Sequence, residues 1–198
     1  MPSIAAHFAC ANLVARKLDI KDDDFYIGNI LPDIIDLSDS HFKIRGNYYL
    51  IPDVDYFIEE YDLNNYQNLG YLTHLLLDKY FLEEFIPKFI IDYKEKNLFV
   101  PNMIYQDYSN LNILIVRNFN LDLDYINSIM SDINVKLNND KYNFNLKNIN
   151  NKEITDDLKV LNLETFVAFL DEVSIKIANT ILELKENKNG CKRKKLQI

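Results

Sequence analysis

Glycine and proline are scarce in this chain, with four and five respectively among 198 residues. A fold of many short strands needs a turn about every 8–12 residues, so there is little room for a sandwich or barrel. Tryptophan is absent, and cysteine occurs only as Cys10 and Cys191. One lies in an apolar stretch and the other in a polar tail. They form neither a disulfide framework nor a metal-ligand spacing, and a reducing cytoplasm is the compartment this usage implies. No apolar run approaches the roughly 18 residues that a membrane-spanning helix needs. The start of the chain lacks the charged segment, apolar core and cleavage site of an export signal. A glycine-rich phosphate loop, a GxSxG elbow, a CxxC pair and internal repeats are also missing. Histidine is scarce too: His7, His41 and His74 are all there are.

What remains is a chain of 48% hydrophobic and 26% charged residues, long enough for one well-buried core. The expectation is an all-α, single-domain helical bundle over residues 1–188, followed by a basic, disordered tail over 189–198. The formal charge is −8; setting aside Lys192, Arg193, Lys194 and Lys195 in the tail leaves −12. An acidic body is a poor match for duplex nucleic acid, whose binding draws on phosphate neutralisation, and for an anionic membrane surface.

Helical periodicity sets out the elements. Ser3 to Leu18 reads as a first helix with Ser3 as N-cap, its apolar face formed by Ile4, His7, Ala11, Val14 and Leu18. Pro32 disfavours helical geometry at Leu31, so a short new helix is expected there, with Asp33 in its first turn. Ser38 to Phe42 reads as a polar loop. Further helices are expected over Pro52–Tyr61, Asn64 to about Phe89 (bent near Gly70 or ended by Pro87), Asn102–Arg117, Leu123 to about Asn134, and Leu163–Leu184. The last carries Phe166, Phe169, Leu170, Val173, Ile177 and Ile181 on one stripe. The Asn- and Lys-rich stretch from Lys136 to Lys152 reads as a loop.

The helix from Gly70 to Phe85 is the organising element. At about 100° per residue, His74 and Asp78 project from nearly one line on its surface, within an apolar stripe of Leu77, Phe81 and Phe85. Burying either group without a partner is costly. A divalent metal satisfies both, since imidazole nitrogen and carboxylate oxygen are standard zinc ligands; a solvated helix edge or a His–Asp hydrogen bond is the alternative. Each other candidate also has two readings. His7 is either a core histidine bonded to a carbonyl or a ligand. Asp33 is a helix-end carboxylate or an inward-facing one, and His41 is an exposed loop residue or a third imidazole. Taken together, His7, Asp33, His41, His74 and Asp78 supply enough ligands for one zinc, with some left to bridge to a second.

The order of these residues resembles the zinc-dependent phospholipase C family, which shares its fold with zinc-dependent single-strand nucleases. The resemblance rests on Met1 to His7, Phe25 to Asp33, Ser40-His41-Phe42 and Gly70 to Asp78, and covers roughly the first 90 residues. It implies an all-helical zinc-dependent hydrolase of a phosphodiester or phospholipid-like substrate. By that resemblance Asp33, His41, His74 and Asp78 would surround one zinc, Asp78 would bridge to another, and His7 would serve the second. Asp33 would orient the attacking water. The full family site has three metals and further histidines beyond the central pair, and this chain has none after His74. One or two ions, zinc or another divalent metal, are therefore expected. Glu84 and Asp107 are the candidate replacements as additional metal or substrate ligands. Glu84 lies about 240° round a straight helix from Asp78 and reaches the site only if the helix breaks. Two other readings compete. Histidine–aspartate phosphohydrolases need an adjacent His-Asp pair, which the chain lacks. A non-catalytic helical binding module would keep the fold with a depleted metal site.

Overall fold

A computed structural model describes residues 2–35, 39–47, 49–88, 100–137 and 158–186. The described residues are mostly helical, with two short strands. The basic tail with Cys191, and nearly all of the Asn- and Lys-rich stretch, lie outside them.

Helix α1 (Ile4–Leu18) opens at Ser3, whose hydroxyl accepts a long 3.4 Å bond from the Ala6 amide. It closes at Asp19 in the left-handed region, φ 49°, with the Asp19 and Ile20 amides both donating to the Ala15 carbonyl. Its N-terminal half is buried almost all round, because Ala5, Ala6, Ala9 and Ala11 are small enough to admit neighbours on every side. Helix α1 accordingly packs against α2, α4, α5 and α7.

Helix α2 (Asp23–Ile34) begins at Asp22, whose carboxylate accepts from the Asp24 amide at 2.9 Å. Asp23 and Asp24 add negative charge at the positive end of the helix. The expected break at Leu31 does not occur. Pro32 sits inside the last turn of α2, where its missing N–H forfeits the helical bond to the Gly28 carbonyl, and the helix runs on through it to Ile34. Asp33 therefore belongs to the end of a helix and not to the start of one. A carboxylate there faces the negative end of the helix dipole, so capping does not explain it.

After α2 the chain turns through His41 and through Phe42 at φ 48°. It then forms an unanticipated hairpin, β1 (Lys43–Arg45) with β2 (Leu50–Pro52), antiparallel with Ile44 opposite Ile51. Pro52 ends the strand, and the expected helix, read as beginning near Asp53, is α3 (Val54–Glu60), capped by Asp53.

Helix α4 (Tyr66–Tyr80) is capped by Asn65, which accepts from the Asn68 amide at 3.0 Å. It lies backbone to backbone on α2. A Cβ on Gly28 would stand 1.9 Å from the Gln67 carbonyl oxygen, and one on Gly70 would stand 1.9 Å from the Phe25 carbonyl oxygen. The two glycines thus face each other's helices, and only the absence of side chains permits that approach. Gly70 marks this contact and not a bend. Beyond Tyr80 the helix widens into one π-turn, Phe81–Phe85, and continues helically to residue 88. Phe81 and Phe85 stack at 5.3 Å on the same side of that wide turn.

Helices α5 (Val100–Asn118), α6 (Leu123–Leu137) and α7 (Leu163–Glu186) complete the described chain. On α7, Phe166, Leu170, Val173, Ile177 and Ile181 are buried as the periodicity requires, and Phe169 packs at their edge. Phe166 meets Phe85 edge-to-face at 5.4 Å. Each buried side chain of this size contributes about 1.5–3 kcal/mol, against about 1 kcal/mol for a helix cap. The stripe, more than the ends, holds α7 in place. No helix among the described residues is long and apolar enough to cross a membrane.

Candidate metal centre

The α2–α4 contact brings the last turn of α2 beside the middle of α4, and α1 lies across both. Five side chains distant in the sequence meet there: His7 from α1, Asp33 from α2, His41 from the loop before β1, and His74 and Asp78 from α4. His7, His74 and Asp78 are fully buried and His41 nearly so. The Asp33 side chain is 16% exposed and gives the cluster its opening to solvent.

Asp78 is the hub. Its Oδ1 lies 3.4 Å from His7 Nε2, and its Oδ2 lies 3.5 Å from both His41 Nε2 and His74 Nε2. Asp33 Oδ1 stands 3.5 Å from His41 Nε2 and 3.8 Å from His74 Nε2, and its Oδ2 lies 4.0 Å from His7 Nε2. The His7 and His74 rings stack in parallel, 3.7 Å apart.

Two of the imidazoles are fixed from behind. His74 Nδ1 lies 2.7 Å from the main-chain carbonyl of Asn29. A carbonyl only accepts, so Nδ1 carries a proton, and in the neutral ring Nε2 presents a lone pair to the cluster. His41 Nδ1 lies 2.9 Å from the Ser40 hydroxyl, and the carbonyl of Ser40 accepts from the Tyr71 phenol. The two Nε2 atoms face each other at 3.2 Å.

Both oxygens of Asp78 and both ring nitrogens of His7 are buried without a hydrogen bond of acceptable geometry. A buried carboxylate in that condition is expensive. Burial pushes the His7 pKa down, helped by His74 and resisted by Asp78 and Asp33. Burial also opposes charge on His74, but Asp33 and Asp78 outweigh it and raise that pKa. Both carboxylates are held below their usual range despite burial, Asp78 chiefly by His74 and His7, and Asp33 chiefly by His74 and a bond to His41. The electrostatics thus keep the carboxylates ionised and reward a cation among them.

A metal fits this donor set. One ligand atom each from His7, His74 and Asp78 fall within 4.8 Å of one another, and so do one each from Asp33, His41 and His74. His74 belongs to both groups, but its Nδ1 is committed to Asn29, so it can ligate one ion only. Asp78 is the residue able to serve both sides, through Oδ1 toward His7 and Oδ2 toward His41 and His74.

Glu84 and Asp107 are occupied elsewhere. The helix does widen between Asp78 and Glu84, yet the Glu84 carboxylate pairs with Lys176 of α7 at 2.7 Å on the surface. The surplus of the π-turn goes to seating Phe81 and Phe85, which leaves Glu84 outward. Asp107 is buried, but its oxygens accept from the amides of Lys159, Val160 and Leu161 at 2.8–2.9 Å, which pins the approach to α7. Sequence reasoning missed Asn29 and Ser40. Asn29 is one turn before Asp33 on α2, and Ser40 directly precedes His41; both spacings are legible once the ligands are suspected. Comparison of the chain with protein-family models, with curated proteins and with solved structures finds no match.

Proposed function

We propose that the protein is a divalent-metal-dependent phosphoesterase, with zinc the best-suited ion. The observation that carries this reading is the setting of Asp78: fully buried, with three imidazole Nε2 atoms at 3.4–3.5 Å and no hydrogen bond of acceptable geometry to either oxygen. Nitrogen and carboxylate oxygen without thiolate form the donor set of hydrolytic zinc sites, and structural sites more often use cysteine.

When bound, the metal supplies Lewis acidity toward a phosphoryl oxygen and acidifies a water. The protein supplies the rest. Asn29 and Ser40 hold the rings of His74 and His41 so that Nε2 faces inward. Asp78 would offer one oxygen toward His7 and the other toward His41 and His74, and His7 would close the inner wall. Asp33, the one carboxylate of the cluster reaching solvent, would orient a water. The substrate is a phosphate ester entering from the Asp33 side, a phosphodiester or a phospholipid-like molecule.

The test is metal content by mass spectrometry for wild type and His74→Ala, followed by hydrolysis of a panel of phosphate esters with and without zinc. About one to two zinc per chain, lost in the variant, with zinc-dependent hydrolysis, is the expected result. A wild type that takes up no zinc removes the phosphoesterase reading. Zinc uptake with no turnover on any ester replaces it with a metal-holding binding module.

A further inference from the structure

Among the described residues, Asp19, Phe42 and Asn120 are the non-glycine positions with positive φ. Asp and Asn visit the left-handed region readily, and Asp19 closes a helix there. A bulky apolar residue at φ 48° is an outlier. Phe42 ends no helix; it stands between a candidate ligand, His41, and the first residue of β1. Ring packing holds it in place. Tyr56, Phe57, Tyr61 and Tyr71 surround its ring, with centroids 5.5–6.1 Å away and planes tilted by 45–55°. Phe57 and Tyr71 are buried and stacked on each other at 5.1 Å, so that wall is firm. The main chain is tied as well. The Phe42 amide donates to the Asp39 carbonyl at 3.1 Å, and the Phe42 carbonyl accepts from the Asp53 amide at 2.8 Å.

The peptide on the other side of His41 is also held, because the Ser40 carbonyl accepts from the Tyr71 phenol. His41 thus has an anchored peptide before it and a strained, anchored residue after it. Between them its ring brings Nε2 to 3.5 Å from both Asp33 and Asp78. With the hairpin in place, relaxing Phe42 to negative φ would turn the chain through His41 and carry the imidazole with it. Strain that the surroundings enforce at such a point signals positioning.

We infer that Phe42 and Tyr71 are positioning residues for His41. Tyr71 holds the peptide before it, and the ring of Phe42, set against Tyr71 and Phe57, keeps the backbone after it in the conformation that aims the imidazole into the cluster. The inference rests on the metal reading of the cluster and adds to it two residues outside the donor set.

The full-length protein is compared with Phe42→Ala, Phe42→Gly and Tyr71→Phe by zinc titration and, free of metal, by NMR, at a temperature where each is folded. Alanine loses the ring and still resists positive φ; glycine loses more side chain and adopts positive φ freely. Packing alone would make Gly no better than Ala. The expected order is the reverse: zinc affinity falls at least about ten-fold in Phe42→Ala and stays within about three-fold of wild type in Phe42→Gly. Tyr71→Phe keeps the ring stack and removes only the bond to Ser40, so it reads the same device in a variant with its packing intact. A loss of about ten-fold is expected there too. The His41 and His74 rings have centroids 5.2 Å apart. A proton–proton NOE between them should be seen in wild type and Phe42→Gly and be lost in Phe42→Ala.

Equal weakening of Phe42→Gly and Phe42→Ala overturns the assignment, as does an NOE that persists in Phe42→Ala. Wild-type zinc affinity in Phe42→Ala or Tyr71→Phe overturns it as well. Each of these leaves the metal reading standing. Absence of zinc uptake by the wild type defeats that reading, and the positioning of a ligand with it, even where the NOE follows the expected pattern.

Discussion

The ring of His74 and the main chain of Asn29 are joined across the α2–α4 contact, with Nδ1 2.7 Å from the carbonyl oxygen. One consequence is a fixed tautomer: in the metal-free protein at neutral pH, long-range 1H–15N spectra are expected to show His74 protonated on Nδ1. A neutral His74 protonated on Nε2 would contradict the geometry. A second consequence concerns pH. Metal binding requires Nε2 unprotonated, and Asp33 and Asp78 raise the pKa of His74 above its usual value of 6.5. Zinc affinity should therefore begin to fall, on acidification, at a higher pH than an ordinary imidazole would produce. Isothermal titration across neutral pH measures where the fall begins.

The same contact depends on two missing side chains. Gly28→Ala or Gly70→Ala places a Cβ 1.9 Å from a backbone oxygen of the facing helix, and backbone cannot swing aside as a side chain can. The helices must separate, at a cost of about 1–3 kcal/mol or more. Because Asp33 and His74 lie on opposite sides of that seam, each substitution is expected to lower both the denaturation midpoint and the zinc affinity. Unchanged zinc affinity in a destabilised Gly70→Ala protein would show that the seam does not set the site.

Asp107 gives the opposite pattern. Its carboxylate holds three amides of the segment entering α7, and bonds to a charged acceptor contribute about 1.5–3 kcal/mol each. Asp107→Asn keeps the shape, loses the charge and turns an NH2 group toward an amide. A loss of about 2–4 kcal/mol of stability is expected, with zinc stoichiometry unaltered. Loss of zinc from a still-folded Asp107→Asn protein would return Asp107 to the ligand set.

These cases show why some of the molecule was legible in its sequence and some was not. The stripe on α7 and the His74–Asp78 pair follow from a period of 3.6, which is a local property. Ser3, Asp22, Asp53 and Asn65 cap helices for equally local reasons. The hairpin after His41 has three-residue strands, too short for alternation to register. Pro32 signals a break, yet it falls in the last turn of α2, where few helical bonds remain to be made, and the capped helix runs through it. The use of Asp107 is non-local, since its partners are more than 50 positions away. Gly70 could be read as a bend or as a contact, and only the position of Gly28 decides.

Ser40 provides the sharpest separation of positioning from ligation. Its hydroxyl stands 2.9 Å from His41 Nδ1 and has no place in the donor set facing Asp78. Removing the hydroxyl leaves every candidate ligand in place but frees the His41 ring to change orientation. Partners of this kind typically account for about 10–100-fold in metal affinity. Ser40→Ala is expected to weaken zinc binding by about that factor with little change in melting temperature, and Ser40→Thr, which keeps the hydroxyl, is expected to restore most of it. The His41 ring reports the cause directly: in metal-free Ser40→Ala its 15N signals should move from their wild-type positions. If Ser40→Ala binds zinc as tightly as the wild type, His41 is held by the cluster alone and the hydroxyl is incidental. If affinity falls in Ser40→Ala and Ser40→Thr alike, the pocket is responding to side-chain volume and not to the hydrogen bond.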